Sequence, residues 1–104
     1  MFIVVYEAKV IDRNFSRFEE AWGIVTDAIR EHCNSLGSRL HRTDDESVYI
    51  AYAQWPDKST FENAQKDSFS ETQKQAGSVM RGSVEYFKIV YTAEVCDDRL
   101  VVNN

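Results

Sequence analysis

Two cysteines, one proline, four glycines and two histidines in 104 residues rule out several common designs. Cys33 and Cys96 stand in unlike contexts with no CxxC pair, so neither a disulfide framework nor a zinc site is expected. Two free thiols are predicted, as in a cytoplasmic protein. Positive charge is also short. Twelve Lys and Arg face 17 Asp and Glu, giving a formal net charge of −5. Phosphate-backbone binding needs Lys and Arg to release counterions, so nucleic acid is not an expected partner. The early apolar run over residues 2–6 is broken by Glu7 and Lys9, which predicts neither a signal-peptide core nor a membrane-spanning helix. There is no G-x-G-x-x-G, Walker loop, zinc pattern or Ser-His-Asp spacing, and no cofactor or metal is predicted. What remains, 43% hydrophobic and 28% charged, is the composition of one globular domain over residues 1–104.

Residues 2–11 are rich in β-branched and aromatic side chains and predict a first strand. A polar turn at Asp12, Arg13 and Asn14 follows, with Asn14 or Ser16 as helix cap and Ser16 with Glu19 at capping-box spacing. Phe18, Trp22, Val25, Ile29, Cys33 and Leu36 then recur at three- and four-residue steps, the signature of an amphipathic helix that Gly37 would stop. Residues 38–43 and 47–55 predict two strands joined by the turn Asp44, Asp45 and Glu46. Pro56 and Asp57 break the pattern. Ser59 with Glu62 and Ser68 with Glu71 offer helix starts, so 58–80 predicts two short helices or one kinked helix. Residues 84–95 predict the last strand, and the tail 97–104 carries Leu100, Val101 and Val102, which could pair with an edge strand or a partner chain.

The order β-α-β-β-α-β predicts an α+β fold, the ferredoxin-like plan of an antiparallel sheet with helices on one face. Phe2, Val4, Tyr6, Ala8 and Val10 point one way along the first strand and Ile3 and Val5 the other. In the last strand, strict alternation puts Val84, Tyr86 and Val90 on one face and Phe87, Ile89 and Tyr91 on the other. Both faces are apolar, and helices cover only one. A homodimer with its two sheets packed face to face supplies the missing cover.

The run Gly37-Ser38-Arg39-Leu40-His41-Arg42, a short acidic turn, and Tyr52-Ala53-Gln54-Trp55 leading into a helix resemble the antibiotic-biosynthesis-monooxygenase type of dimeric α/β barrel. That superfamily is implied to include cofactor-independent monooxygenases of phenols and quinols, haem-degrading enzymes and proteins of no known activity. Under the resemblance Trp55 matches the tryptophan bordering the substrate pocket. Four residues earlier the family's asparagine is replaced by Ala51, and six residues later its tyrosine is replaced by Phe61. An arginine of the last helix corresponds to Gln73 or Lys74. Haem degraders carry an iron-binding histidine on the helix after the third strand, whereas residues 58–80 contain none, and Glu7 stands near their first-strand asparagine.

Trp55 shares its parity with Tyr49, Ala51 and Ala53. Either a helix packs closely on the two alanines, or they leave a cavity. Glu7 interrupts an apolar strand, where desolvation would raise its pKa and make it a base, while Lys9 two residues on offers a simple ion pair instead. His41 could act as acid, base or ligand, or be a solvated surface residue; His32 near the end of the first helix complements the helix dipole. The combined expectation is a pocket walled by Trp22, Ala51, Trp55 and Phe61, with Glu7 or His41 as proton acceptor. Its occupant would be a small hydrophobic or aromatic molecule. The function expected is cofactor-independent oxygenation of a small phenol or quinol; the alternative is a non-catalytic dimeric ligand-binding or interaction protein.

Overall fold

The computed structural model describes residues 1–101. Along the chain run β1 (Phe2–Val10), α1 (Phe15–Cys33), β2 (Gly37–Arg42), β3 (Val48–Trp55), α2 (Lys58–Glu62), α3 (Glu71–Gly82) and β4 (Val84–Glu94). The strands lie in the order β2-β3-β1-β4 and every neighbouring pair is antiparallel. This is the ferredoxin-like arrangement, with an open sheet whose edges are β2 and β4. Among the described residues no helix is long and apolar enough to cross a membrane, and Cys33 and Cys96 are unpaired.

The helix ends differ from expectation in instructive ways. Asp12 and Arg13 both adopt left-handed backbone angles, so α1 begins at Phe15 behind Asn14, without a side-chain cap. It ends at Asn34, itself left-handed, rather than at Gly37. Gly37, with φ of 100°, instead opens β2, a conformation that favours a residue with no Cβ. Leu36 therefore falls outside the helix and is exposed; the buried stripe of α1 is Phe18, Ala21, Val25, Ala28 and Cys33. The break after β3 does produce two helices. Asp57 caps α2 by accepting from the Thr60 amide, which holds its carboxyl below the usual carboxylate range. Ser70 and Gln73 form the capping box of α3, in place of the Ser68 and Glu71 pair.

The helices pack on one face. Phe18 of α1 meets Tyr49 with ring centroids 5.0 Å apart, and Phe61 of α2 meets Phe2 at 5.7 Å. Met80 of α3 packs against the buried cluster of Ala8, Val10, Phe18 and Tyr49. Val4 lies at 0% exposure beneath them. The opposite face carries Ile3, Val5, Ile50, Tyr52, Tyr91 and Ala93, joined as neighbours by the strand registers and covered by no helix. Strict alternation fails in β4 because the register shifts between Val5 and Tyr6 and again between Lys9 and Val10. Val84, Phe87 and Ile89 consequently pair with Val10, Ala8 and Tyr6 of the helix-covered face, while Tyr86 and Tyr91 pair with Lys9 and Val5 of the other. In the tail, Leu100 and Val101 are exposed and Val102 lies outside the described residues.

Candidate functional site

Between α1, α3 and the sheet lies a cavity of about 320 Å³, lying over Ala51 and Ala53. Both neighbours across the strands are larger or polar. Ala53 pairs with Val4 and Ser38, and Ala51 with Tyr6 and Leu40. The room exists because two methyl groups occupy β3 where long side chains would otherwise meet the helices. Its volume falls at the low end of the range for small-molecule sites.

Both tryptophans of the chain line this cavity. Trp22 arrives on α1 beside Val25, Thr26 and Ile29; Trp55 closes the end of β3. Trp55 is 4% exposed, and its Nε1–H has no hydrogen-bond partner among the described residues. An unpaired buried donor costs about 1–3 kcal/mol, and native structures keep few of them. Phe61 lies behind Trp55 rather than in the lining, edge-on at 5.4 Å, and fixes the indole from the α2 side.

Glu7 and His41 do not face this cavity, which corrects the expected pairing of aromatic walls with a nearby base. Glu7 pairs in register with Ile50, and His41 with the same Ile50, on the face without helices. There the Glu7 carboxylate accepts from the Tyr86 hydroxyl at 2.7 Å, a bond that pushes the Tyr86 pKa up. His41 donates from Nδ1 to the Ile50 carbonyl at 3.1 Å. Lys9, expected as an ion-pair partner for Glu7, bridges Glu85 instead, at 3.6 Å. Nor does Gln73 or Lys74 take the place of the family's helix arginine in the lining. Gln73 is occupied by the capping box and by His32 and Glu31 of α1.

The sequence reading missed Tyr6, Ser38, Lys66, Met80, Arg81 and Phe87 as lining residues. Tyr6 carried a signal, since it shares the parity of Val4 and Ala8. Burial raises its pKa, so its hydroxyl is a neutral donor at physiological pH rather than a base. Arg81 carried none, because a last-turn arginine ordinarily reads as a helix-dipole partner. A separate polar cluster lies beyond Trp22, where the Tyr49 hydroxyl donates to Glu19 at 2.6 Å and Arg42 donates to the same carboxylate at 3.3 Å. Burial, followed by Glu19, raises the Tyr49 pKa. Among the described residues no group of three or more His, Cys, Asp or Glu side chains could hold a metal ion.

No protein-family model and no curated protein matches the chain. Solved structures do. SnoaB, a cofactor-independent oxygenase from Streptomyces nogalater, in a mutant form, aligns at 15% identity with a TM-score of 0.71, over 94% of this chain and 95% of its own. A Nitrosomonas europaea protein provisionally described as an antibiotic biosynthesis monooxygenase aligns at 12% identity and a TM-score of 0.71, over 93% of this chain and 100% of its own. Rv0793 from Mycobacterium tuberculosis aligns at 7% identity and a TM-score of 0.69, over 95% of this chain and 98% of its own. At these identities the likeness is one of architecture, and it agrees with the strand order and the single helical layer: the chain has the ferredoxin-like fold of the antibiotic biosynthesis monooxygenase structures.

Proposed function

We propose that the cavity binds a small aromatic molecule, of about one or two fused rings by its volume, and that the chain oxygenates a phenol or quinol there without a cofactor. The observation that carries this reading is a cavity lined by both tryptophans, one of which, Trp55, has a buried Nε1–H without a partner among the described residues. An oxygen atom on an aromatic ligand would accept that bond while its ring fills the space over Ala51 and Ala53. The description of SnoaB as a cofactor-independent oxygenase supports the reaction class.

In such a reaction the substrate supplies the electrons. With 1,5-dihydroxynaphthalene as probe, a C–O bond forms at the ring carbon para to one hydroxyl and the O–O bond of dioxygen breaks. One oxygen becomes the second quinone oxygen, and the other leaves as water with two substrate hydrogens. The protein must hold the ring, favour the anion that gives up electrons, and exclude water from it. Among the described residues no carboxylate or imidazole lines the cavity, so the phenolic proton passes to solvent and the anion is held by N–H and O–H donors. That lack of a base also favours a second reading, a ligand-binding protein of the same fold, as do the apolar Ala51 and Phe61.

The sheet face without helices supports assembly as a homodimer, sheet against sheet, since the apolar Ile3, Tyr52 and Tyr91 around Val5 offer a surface that a second copy would cover. Two free thiols suit a cytoplasmic setting. The test of function is oxygen uptake by metal-free, flavin-free protein with 1,5-dihydroxynaphthalene, together with quenching of tryptophan fluorescence. The expected result is quinone formation that Trp55→Ala largely abolishes. Trp55→Phe, which keeps a ring and deletes only the donor, should weaken binding by about 5- to 10-fold, the worth of one hydrogen bond. Quenching without oxygen uptake would establish the binding-protein reading instead.

A further inference from the structure

We infer that the natural occupant of this cavity is an aromatic acid, ionised at neutral pH, whose carboxylate sits at the cavity opening against Lys66 and Arg81. The inference rests on the proposed aromatic site and adds the charge of the ligand. Its ground is an inversion of sign. Acidic residues outnumber basic ones in the chain, 17 to 12, yet the charged residues of the lining are Lys66 and Arg81 alone, and no Asp or Glu reaches it. Both are exposed side chains that also line the cavity, which places them at its opening. Neither takes part in an ion pair among the described residues, so neither charge is engaged by a carboxylate of the chain.

The fold constrains the Arg81 side chain and the backbone that carries Lys66. The Arg81 guanidinium turns back along α3, donating from one nitrogen to the Ser78 hydroxyl at 3.3 Å. Its other terminal nitrogen lies over Gly77, 3.3 Å from where a Cβ would stand. A helix-interior glycine is unfavourable relative to alanine, and here its missing methyl leaves the space the guanidinium uses. Lys66 belongs to the segment between α2 and α3, which is tied down on both sides: the Cys33 thiol donates to the Gln65 carbonyl at 3.2 Å, and the Phe69 amide to the Lys66 carbonyl at 3.2 Å. A guanidinium pairs with a carboxylate through two parallel N–H bonds, a match an ordinary phenol, neutral at pH 7, does not offer. Apolar walls with a cationic opening thus select a flat ring bearing an acid.

The test compares three probes of nearly equal size by tryptophan quenching at low salt: 2-naphthoate, the neutral 2-naphthalenemethanol and the cationic 2-naphthylmethylamine. The expected order is acid, alcohol, amine, with the acid bound about 3- to 10-fold more tightly than the alcohol, as befits a partly solvated ion pair. Added salt at 0.5 M should shrink that preference. Lys66→Met and Arg81→Met together should bring the acid-to-alcohol ratio to about one, with a native circular dichroism spectrum showing that the variant is folded. Gly77→Ala, which displaces the guanidinium without removing its charge, should weaken the acid alone. Equal binding of acid and alcohol, or a preference that survives both salt and the double variant, overturns the inference but leaves the aromatic site standing. Failure of all three probes to quench overturns both.

Discussion

The two faces of the sheet are built from alternate residues of the same strands and have opposite characters. On the helix-covered face, Phe2, Val4 and Ala8 are buried by the protein's own helices, and the space over Ala51 and Ala53 stays open. On the other, Ile3, Tyr52 and Tyr91 surround the buried Val5 in an apolar patch that no helix covers among the described residues, bordered by the hydrogen-bonded pair Glu7 and Tyr86. A carboxylate and a histidine on the second face cannot serve a cavity on the first, however near they lie in sequence. Strand parity therefore decides which polar residues can take part in chemistry, and it moves the argument from Glu7 and His41 to Lys66, Arg81 and the Trp55 N–H.

The sharpest way to break this comparison is to place the same charge on each face. Val4→Asp puts a carboxylate at a position of 0% exposure beneath the helices, where an unpaired buried charge costs about 3–5 kcal/mol against a domain's margin of about 5–15 kcal/mol. Urea unfolding should show a chain that is largely unfolded or strongly destabilised whatever its concentration. Tyr91→Asp alters a residue that is 54% exposed in the single chain, so the circular dichroism spectrum should stay native. Sedimentation should then find a 12.0 kDa monomer at micromolar concentration, where the proposed assembly requires the parent protein to sediment as a dimer. A parent that is itself monomeric there removes the sheet-to-sheet assembly. The smallest effect belongs to Glu7→Gln. Because Glu7 faces away from the cavity, the affinity for 2-naphthoate should stay within about twofold of the parent. A loss of tenfold or more would show that the two faces communicate, and would return Glu7 to the site.

Much of the architecture was legible because it rests on local rules. β-branched and aromatic runs marked β1, β3 and β4, the three- and four-residue steps from Phe18 to Cys33 marked α1, and the break at Pro56 and Asp57 marked the end of β3, while the starts at Ser59 and Ser68 left two short helices or one kinked helix open, which the chain resolves as α2 and α3. The capping residues were less legible. Ser68 and Ser70 both precede suitable partners, and only the chain's actual path selects Ser70 with Gln73. In the site, Trp22, Ala51 and Trp55 could be named from parity and resemblance, and the structure brings them together.

What the sequence by itself determined is the set of elements, the apolar character of both strand faces and the small residues on β3, all consequences of side-chain period and size within one segment. The tertiary structure alone decided three other things. The register shifts in β4 placed Val84 and Phe87 in the cavity and Tyr86 and Tyr91 outside it, because one unpaired residue reverses the parity of all that follow. The approach of α3 brought Arg81 to the cavity that Lys66 also lines, from segments the strand pattern does not connect. And the Trp55 Nε1–H was left without a partner among the described residues, a fact no single residue reveals, since it depends on every neighbour that fails to reach it.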